Sequence, residues 1–298
     1  MLRRLFVIGA AVGAAAAAYG IVQARIQFRT WGIDPEEASK ALPGDAIVPD
    51  AEAVDTRGID IDAPPDKVWP WLVQMGYGRA GWYSYDQLDM NHASATEIVP
   101  ELQHLAVGDV VPTHPGGGFE VRELDPGASL VLYADRALID AQAKAAEEKG
   151  EGLETASVNV KATGAYLDAS MRGDFKASWA FVLEPRPENR TRLIERFRGV
   201  MELPPETSPE GAKVGRAVAG RALIFGLFVM VRRQLQGIRD RAEGRPIAGF
   251  RWATSEWARR LTPRPPFTMP SMPSIPSIQS VPPISSGPAA SATCPTPA

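Results

Sequence analysis

The sequence predicts an α+β fold in which an antiparallel sheet wraps around one long C-terminal helix. An N-terminal transmembrane helix and a disordered tail are expected to flank it. Three observations carry this expectation. Short strand-like runs separated by turn residues recur between Val54 and Phe197. One long helical run, Gly211 to Glu243, follows them. The two ends differ in composition from everything between: an uncharged run from Leu5 to Ala24, and a Pro- and Ser-rich stretch from Thr262 onward. A twisted sheet with one apolar face needs a covering layer, and a single long helix supplies it.

Length and charge set the bounds. The chain has 298 residues and is 45% hydrophobic, enough for one sizeable core with appendages. A formal net charge of -3 offers no basic excess for a nucleic-acid partner. The single cysteine, Cys294, rules out an intrachain disulfide framework and a cysteine-type zinc site.

At the amino terminus, Met-Leu-Arg-Arg precedes the Leu5–Ala24 run. About 20 helical residues cover a bilayer core of roughly 30 Å. The length of the run, and Arg25 and Arg29 beyond it, favour a retained anchor over a cleaved signal peptide. Residues 1–30 are therefore expected to form a single-pass membrane anchor. Arginines at both ends leave its orientation open. Residues 31–53 read as a collar, with Asp34 capping a short helix that starts at Pro35 and a turn at Pro43-Gly44.

The folded domain is expected over 54–245. Val54, Arg57, Ile59 and Ile61 set against Asp55, Asp60 and Asp62 predict a half-buried strand. Pro64-Pro65-Asp66 opens a helix whose apolar side holds Val68, Trp69, Leu72, Val73 and Met75, with Gly76 as its C′ residue. Gly78 and Gly81 bracket an aromatic loop, and Ser84 is expected to cap a second short helix through Asp89. Val107–Val111 turns into a strand. Gly116–Gly118 reads as a flexible hinge before a strand from Phe119 to Leu124, and Asp125–Ala128 turns into Ser129–Tyr133. Residues 135–176 read as a long excursion, a lid with a helix at Ala137–Lys149 and a strand at Ala156–Ala162. Ala177–Leu183 and Arg190–Phe197 form a hairpin across Pro185–Asn189. In the long helix, Ala222–Val231 is apolar all round. It is too short to cross a bilayer, so it is expected to lie buried against the sheet. Residues 246–298 are expected to be disordered.

This order of elements is the helix-grip arrangement, and the residues support it. Thr56-Arg-Gly-Ile-Asp-Ile-Asp-Ala-Pro-Pro-Asp-Lys-Val-Trp-Pro-Trp-Leu72 resembles the opening of START-like (SRPBCC, polyketide cyclase/dehydrase-related) proteins. Gly76–Asp89, Ile98–Gln103 with Val107-Gly-Asp109, Trp179–Pro185 and the collar Trp31–Pro49 resemble an uncharacterised bacterial subgroup of that superfamily. The resemblance implies a deep, largely apolar cavity between sheet and long helix. It also implies a lipid or other hydrophobic small molecule as partner. A few members of the superfamily are cyclases or aromatases, so an acid–base enzyme acting on an apolar intermediate is the alternative. A structural or partner-binding domain with a filled cavity is a third.

Candidate ligand contacts follow. Arg79, Trp82, Tyr83, Tyr85 and Asp86 gather polar-tipped aromatics and opposite charges in one glycine-hinged loop, suited to orienting a ligand's polar end. The competing reading is that the aromatics pack the loop and Arg79 pairs with Asp86. Glu101 and His104 are spaced to meet on one helical turn and tune a histidine, although a surface pair is the simpler reading. Trp179, Phe225 and Phe228 are expected at the cavity wall; if they and Leu223 fill it, ligand binding fails. His92, His104 and His114 are too scattered for a metal site. No nucleophile elbow, P-loop, dinucleotide fingerprint or metalloprotease motif is present, so no cofactor and no catalytic residue is assigned. Trp252 and Trp257 among Arg251, Arg259 and Arg260 are suited to an interfacial helix.

Overall fold

The computed structural model describes residues 28–86, 93–114, 116–150, 174–201 and 210–247, with side chains from Phe225 onward in the last of these stretches. The anchor run, the 156–162 strand, the helix beyond Asp86 and the 246–298 tail fall wholly or almost wholly outside the described residues. Among the described residues no helix is long and apolar enough to cross a membrane.

The elements in chain order are α1 (Pro35–Ser39), β1 (Ala53–Ile61), α2 (Pro65–Val73), a 3-10 turn (Pro100–Leu102) and β2 (Val110–His114). β3 (Gly117–Asp125), β4 (Ser129–Asp135), α3 (Arg136–Lys149), β5 (Phe175–Arg186), β6 (Arg190–Met201) and α4 (Glu210–Ala242) follow. The six strands form one antiparallel sheet in the order β1-β6-β5-β4-β3-β2. The pairing of β1 with β6 joins the strands farthest apart in sequence, and β4 pairs with β5 across residues 136–174. β2-β3-β4 and β5-β6 follow from short local turns.

Register decides which side chains share a face. Asp55, Arg57, Ile59 and Ile61 of β1 stand opposite Phe197, Glu195, Leu193 and Thr191 of β6. Trp179, Phe181 and Leu183 of β5 are level with Phe197, Glu195 and Leu193. On this inner face Ile59, Ile61, Leu130, Leu132, Phe181 and Leu193 form the core with Trp71 and Leu72 of α2 and Leu235 and Ile238 of α4. Asp55, expected opposite Ile59, therefore shares its face, because strand side chains alternate strictly with period two.

The other face is covered by the collar, which is an integral layer of the fold. Trp31 O accepts from Gly58 N at 3.1 Å, sealing the free edge of β1. β6 then presents Arg192, Arg196 and Arg198 on one face, four and two residues apart. Arg192 grips Glu37 (2.9 and 2.7 Å); Arg196 grips Asp45 and the carbonyls of Ala38 and Lys40; Arg198 grips the carbonyl of Val48. Asp34 caps α1 by accepting from Glu37 N at 2.7 Å, as its sequence context predicts.

Several local expectations change. α2 ends at Val73 with Gln74 as its C-cap, so Gly76 (φ 131°) lies beyond the cap and serves the loop instead. Gly117 and Gly118 belong to β3 rather than to a hinge. A Cβ on Gly118 would fall 2.6 Å from Pro112 Cα, so glycine there permits close strand approach. α3 starts on its Asp135 cap and buries no residue, matching its lack of an apolar face.

The long helix departs most from expectation. Its apolar centre is the less buried part: Phe225 is 50% and Leu227 42% exposed. The grip comes from its polar C-terminal half, where Gln234, Leu235, Ile238 and Arg241 are buried. Gly237 makes that possible. A Cβ there would lie 2.8 Å from Tyr83 Cβ and closer still to its carbonyl oxygen, so the helix backbone rests directly on the aromatic loop.

Candidate ligand-binding site

The loop from Gly76 to Asp86 is a knot. Gly76 and Gly81 exchange backbone hydrogen bonds (3.2 and 3.1 Å), pinching its base. Arg79 folds back over the end of α2 and donates to the carbonyls of Met75 and Val73, each at 2.9 Å, and of Leu102 at 3.3 Å. These include carbonyls that a helix C-terminus leaves without intrahelical donors. Burial lowers the Arg79 pKa, opposed by Asp109 and Tyr83. Asp86 does not pair with Arg79. It accepts from Ser94 N and Oγ at 2.9 and 2.5 Å. Ser94 Oγ in turn accepts from Tyr83 N at 3.1 Å.

Tyr83 takes φ 57°, a conformation most residues avoid. It is 1% exposed, donates to Trp71 O at 3.1 Å and lies under the Arg241 guanidinium at 4.5 Å. Burial pushes its phenol far above the ordinary tyrosine range. The Ser84 hydroxyl donates to Met230 O at 3.0 Å, and the helix it was expected to cap lies beyond Asp86, outside the described residues. Arg79, Tyr83 and Asp86 thus spend their polar groups holding the loop together, and Tyr85 is half-buried beside them. Glu101 and His104 are both exposed, and no ion pair joins them among the described residues.

Tyr77 N ties the loop to Pro112 O of β2 at 2.7 Å, and Trp82 carries its ring onto the sheet face. Its ring stacks on Trp179 at 5.5 Å and 22°. Phe119 meets Trp179 edge-on at 5.7 Å, and Phe181 lies 5.0 Å away. Leucines and Phe181 are sealed under α2 and the end of α4, whereas Phe119, Trp179 and Phe197 stay half-buried. The inner face is therefore closed at one end and less covered at its aromatic end.

Beneath those aromatics lies a cluster of charges that the sequence reading missed. Glu195 is fully buried, accepting from Trp179 Nε1 at 2.7 Å and from Arg57 at 3.2 Å. Arg57 also donates to Asp55 at 3.0 Å and to Phe28 O at 3.0 Å. Burial pushes the Glu195 carboxyl up, against the opposing pull of Arg57 and the Trp179 hydrogen bond. Asp55 Oδ1 is buried without a hydrogen bond, with Arg29 Nε 3.3 Å away. A signal was present: in Leu193-x-Glu195-x-Phe197 the alternation puts a carboxylate on an apolar face.

Phe228 is buried and Phe225 is not. Their rings lie 4.9 and 5.4 Å from that of Phe28. Two depressions of about 590 and 390 Å³ lie elsewhere, one around Glu37, Asp60 and Arg192, the other around Ile47, Arg122 and Tyr133. Both belong to polar, ion-paired surroundings on the collar side.

No family model matches the chain, and no curated protein matches it. Among solved structures, the chain is similar to the X-ray crystal structure of protein MLL2253 from Mesorhizobium loti. That similarity covers 64% of this chain and 98% of that one, at 15% identity and a TM-score of 0.31. A likeness of that grade carries no inference about ligand or reaction.

Proposed function

We propose that the chain is a membrane-tethered START-like domain of helix-grip type that holds a hydrophobic small molecule or lipid between its sheet and its long helix. The observation that supports this most is the half-buried aromatic end of the inner face, Phe119, Trp179 and Phe197 with Trp82 stacked above. Apolar walls with a few convergent polar groups are what such ligands require. Trp179 is only partly buried, while Phe228 is buried against the Phe28 ring. Asp55 Oδ1, buried beside the Arg29 guanidinium at 3.3 Å, keeps a lone pair that a ligand hydroxyl could use. The Leu5–Ala24 run supplies the tether, which suits a ligand that partitions into the bilayer.

The test is a titration of tryptophan emission with a brominated fatty acid. Saturable quenching, weakened in Trp179→Phe, is the expected result; quenching that never saturates, or is equal in Trp179→Phe, overturns the reading.

One observation favours a second reading, a cyclase- or dehydratase-type enzyme. Glu195 is a buried carboxyl whose pKa is raised beside an apolar wall, the setting that suits general acid–base chemistry. On that reading turnover of an apolar polyketone would vanish in Glu195→Gln while binding persists.

A further inference from the structure

The apolar centre of α4 carries two large hydrophobic side chains that the fold leaves exposed. Phe225 and Leu227 are 50% and 42% exposed, about two turns before the buried Gln234, Leu235 and Ile238 of the same helix. Two positions apart, the two side chains leave different sides of the helix, so this segment of α4 is apolar and exposed on more than one side, which suits a contact surface.

Its place relative to the amino terminus identifies the partner. Phe28, the first described residue, packs its ring on Phe225 and Phe228. The 27 residues before it contain the uncharged Leu5–Ala24 run, so that run ends four residues from this patch. Basic residues border it: Arg29 is 41% exposed, and Arg232 is exposed, its guanidinium 5.4 Å above the Trp31 ring. Apolar side chains rimmed by arginines and a tryptophan match the order of a bilayer boundary, acyl chains below and phosphates above. The stretch Ala222–Val231, about ten residues or roughly 15 Å of helix, is half of what spanning requires, so it can lie against a membrane but not cross it.

We infer that the Phe225–Leu227 turn of α4 is a second membrane contact, seated in the bilayer boundary beside the anchor. This rests on the tethered reading above. It turns the aromatic end of the inner face toward the lipid, since Phe28 links both: its ring touches α4 and its carbonyl accepts from Arg57 beneath Trp179.

The test uses the full chain with Cys294→Ser, reconstituted into vesicles of phosphatidylethanolamine and phosphatidylglycerol. A fluorophore is attached at Phe225→Cys, at Leu227→Cys, or at Glu188→Cys in the β5–β6 turn. Glu188, 83% exposed, lies toward the opposite end of the fold, where Asp62 N donates to Glu243. Spin-labelled phosphatidylcholine is expected to remove most of the emission at 225 and 227 and little at 188. Iodide is expected to do the reverse. If 225 and 227 answer to iodide as 188 does, or to neither quencher because protein covers them, the inference is overturned while the tether stands. If the chain washes off the vesicles in carbonate, the tether itself fails and takes the inference with it.

Discussion

Glu195 occupies a strand position where alternation calls for an apolar side chain, and burial dominates its titration. An acid whose folded pKa lies above its unfolded value near 4.5 holds its proton more readily when folded. Its contribution to stability is complete below the unfolded value and is lost as pH rises through the folded one. Thermal unfolding from acid to neutral pH should therefore show a loss of stability in the native chain that is smaller in Glu195→Gln. Equal profiles would mean that Glu195 is not perturbed. Arg79 makes the opposite kind of point. Polar residues in an aromatic loop suggest ligand contact, but its guanidinium serves three carbonyls. Arg79→Ala should cost about 2–3 kcal/mol of stability in urea unfolding, through orphaned acceptors, and leave fatty-acid binding by the folded protein intact. Sequence alone could not separate these roles, because both follow from which way a side chain turns.

At the scale of elements, α4 shows how hydrophobicity misleads when its partner is unknown. Ala222–Val231 is the most apolar stretch of the helix, yet burial falls on Gln234, Leu235, Ile238 and Arg241. The cause is the close approach at Gly237, which seats the C-terminal half on the Tyr83 loop. Gly237→Ala gains helix propensity of about 1 kcal/mol but meets the loop backbone, so a net loss of about 1–3 kcal/mol is expected by calorimetry or denaturant unfolding. Leu235→Ala should cost about 3 kcal/mol, whereas Leu227→Ala in detergent should stay within about 0.5 kcal/mol. The collar was legible as a capped helix and a turn, but not as a layer. Its attachment depends on arginines about 150 positions away along the chain, at alternating positions on one face of β6. Removing Arg196 should cost about 3 kcal/mol and open residues 40–52 to limited proteolysis.

For the whole molecule, most of the strands and the single long helix were readable because turns, alternation and helix length are local signals. The strands Val54–Ile61, Ala177–Leu183 and Arg190–Phe197 lie within observed strands. What escaped was non-local: the closure of the sheet by β1 on β6, which gathers Arg57 and Glu195 from positions 138 residues apart. That closure creates the charged floor beneath Trp179 and Trp82, and with it the aromatic end on which the binding proposal stands. The most direct measurement is mass spectrometry of the organic extract from purified full-length protein, side by side with Trp179→Arg. The native chain should release a hydrophobic molecule that the variant lacks. An empty extract from the native chain across several membrane sources, or the same molecule in equal amount from Trp179→Arg, would contradict ligand binding on the inner face.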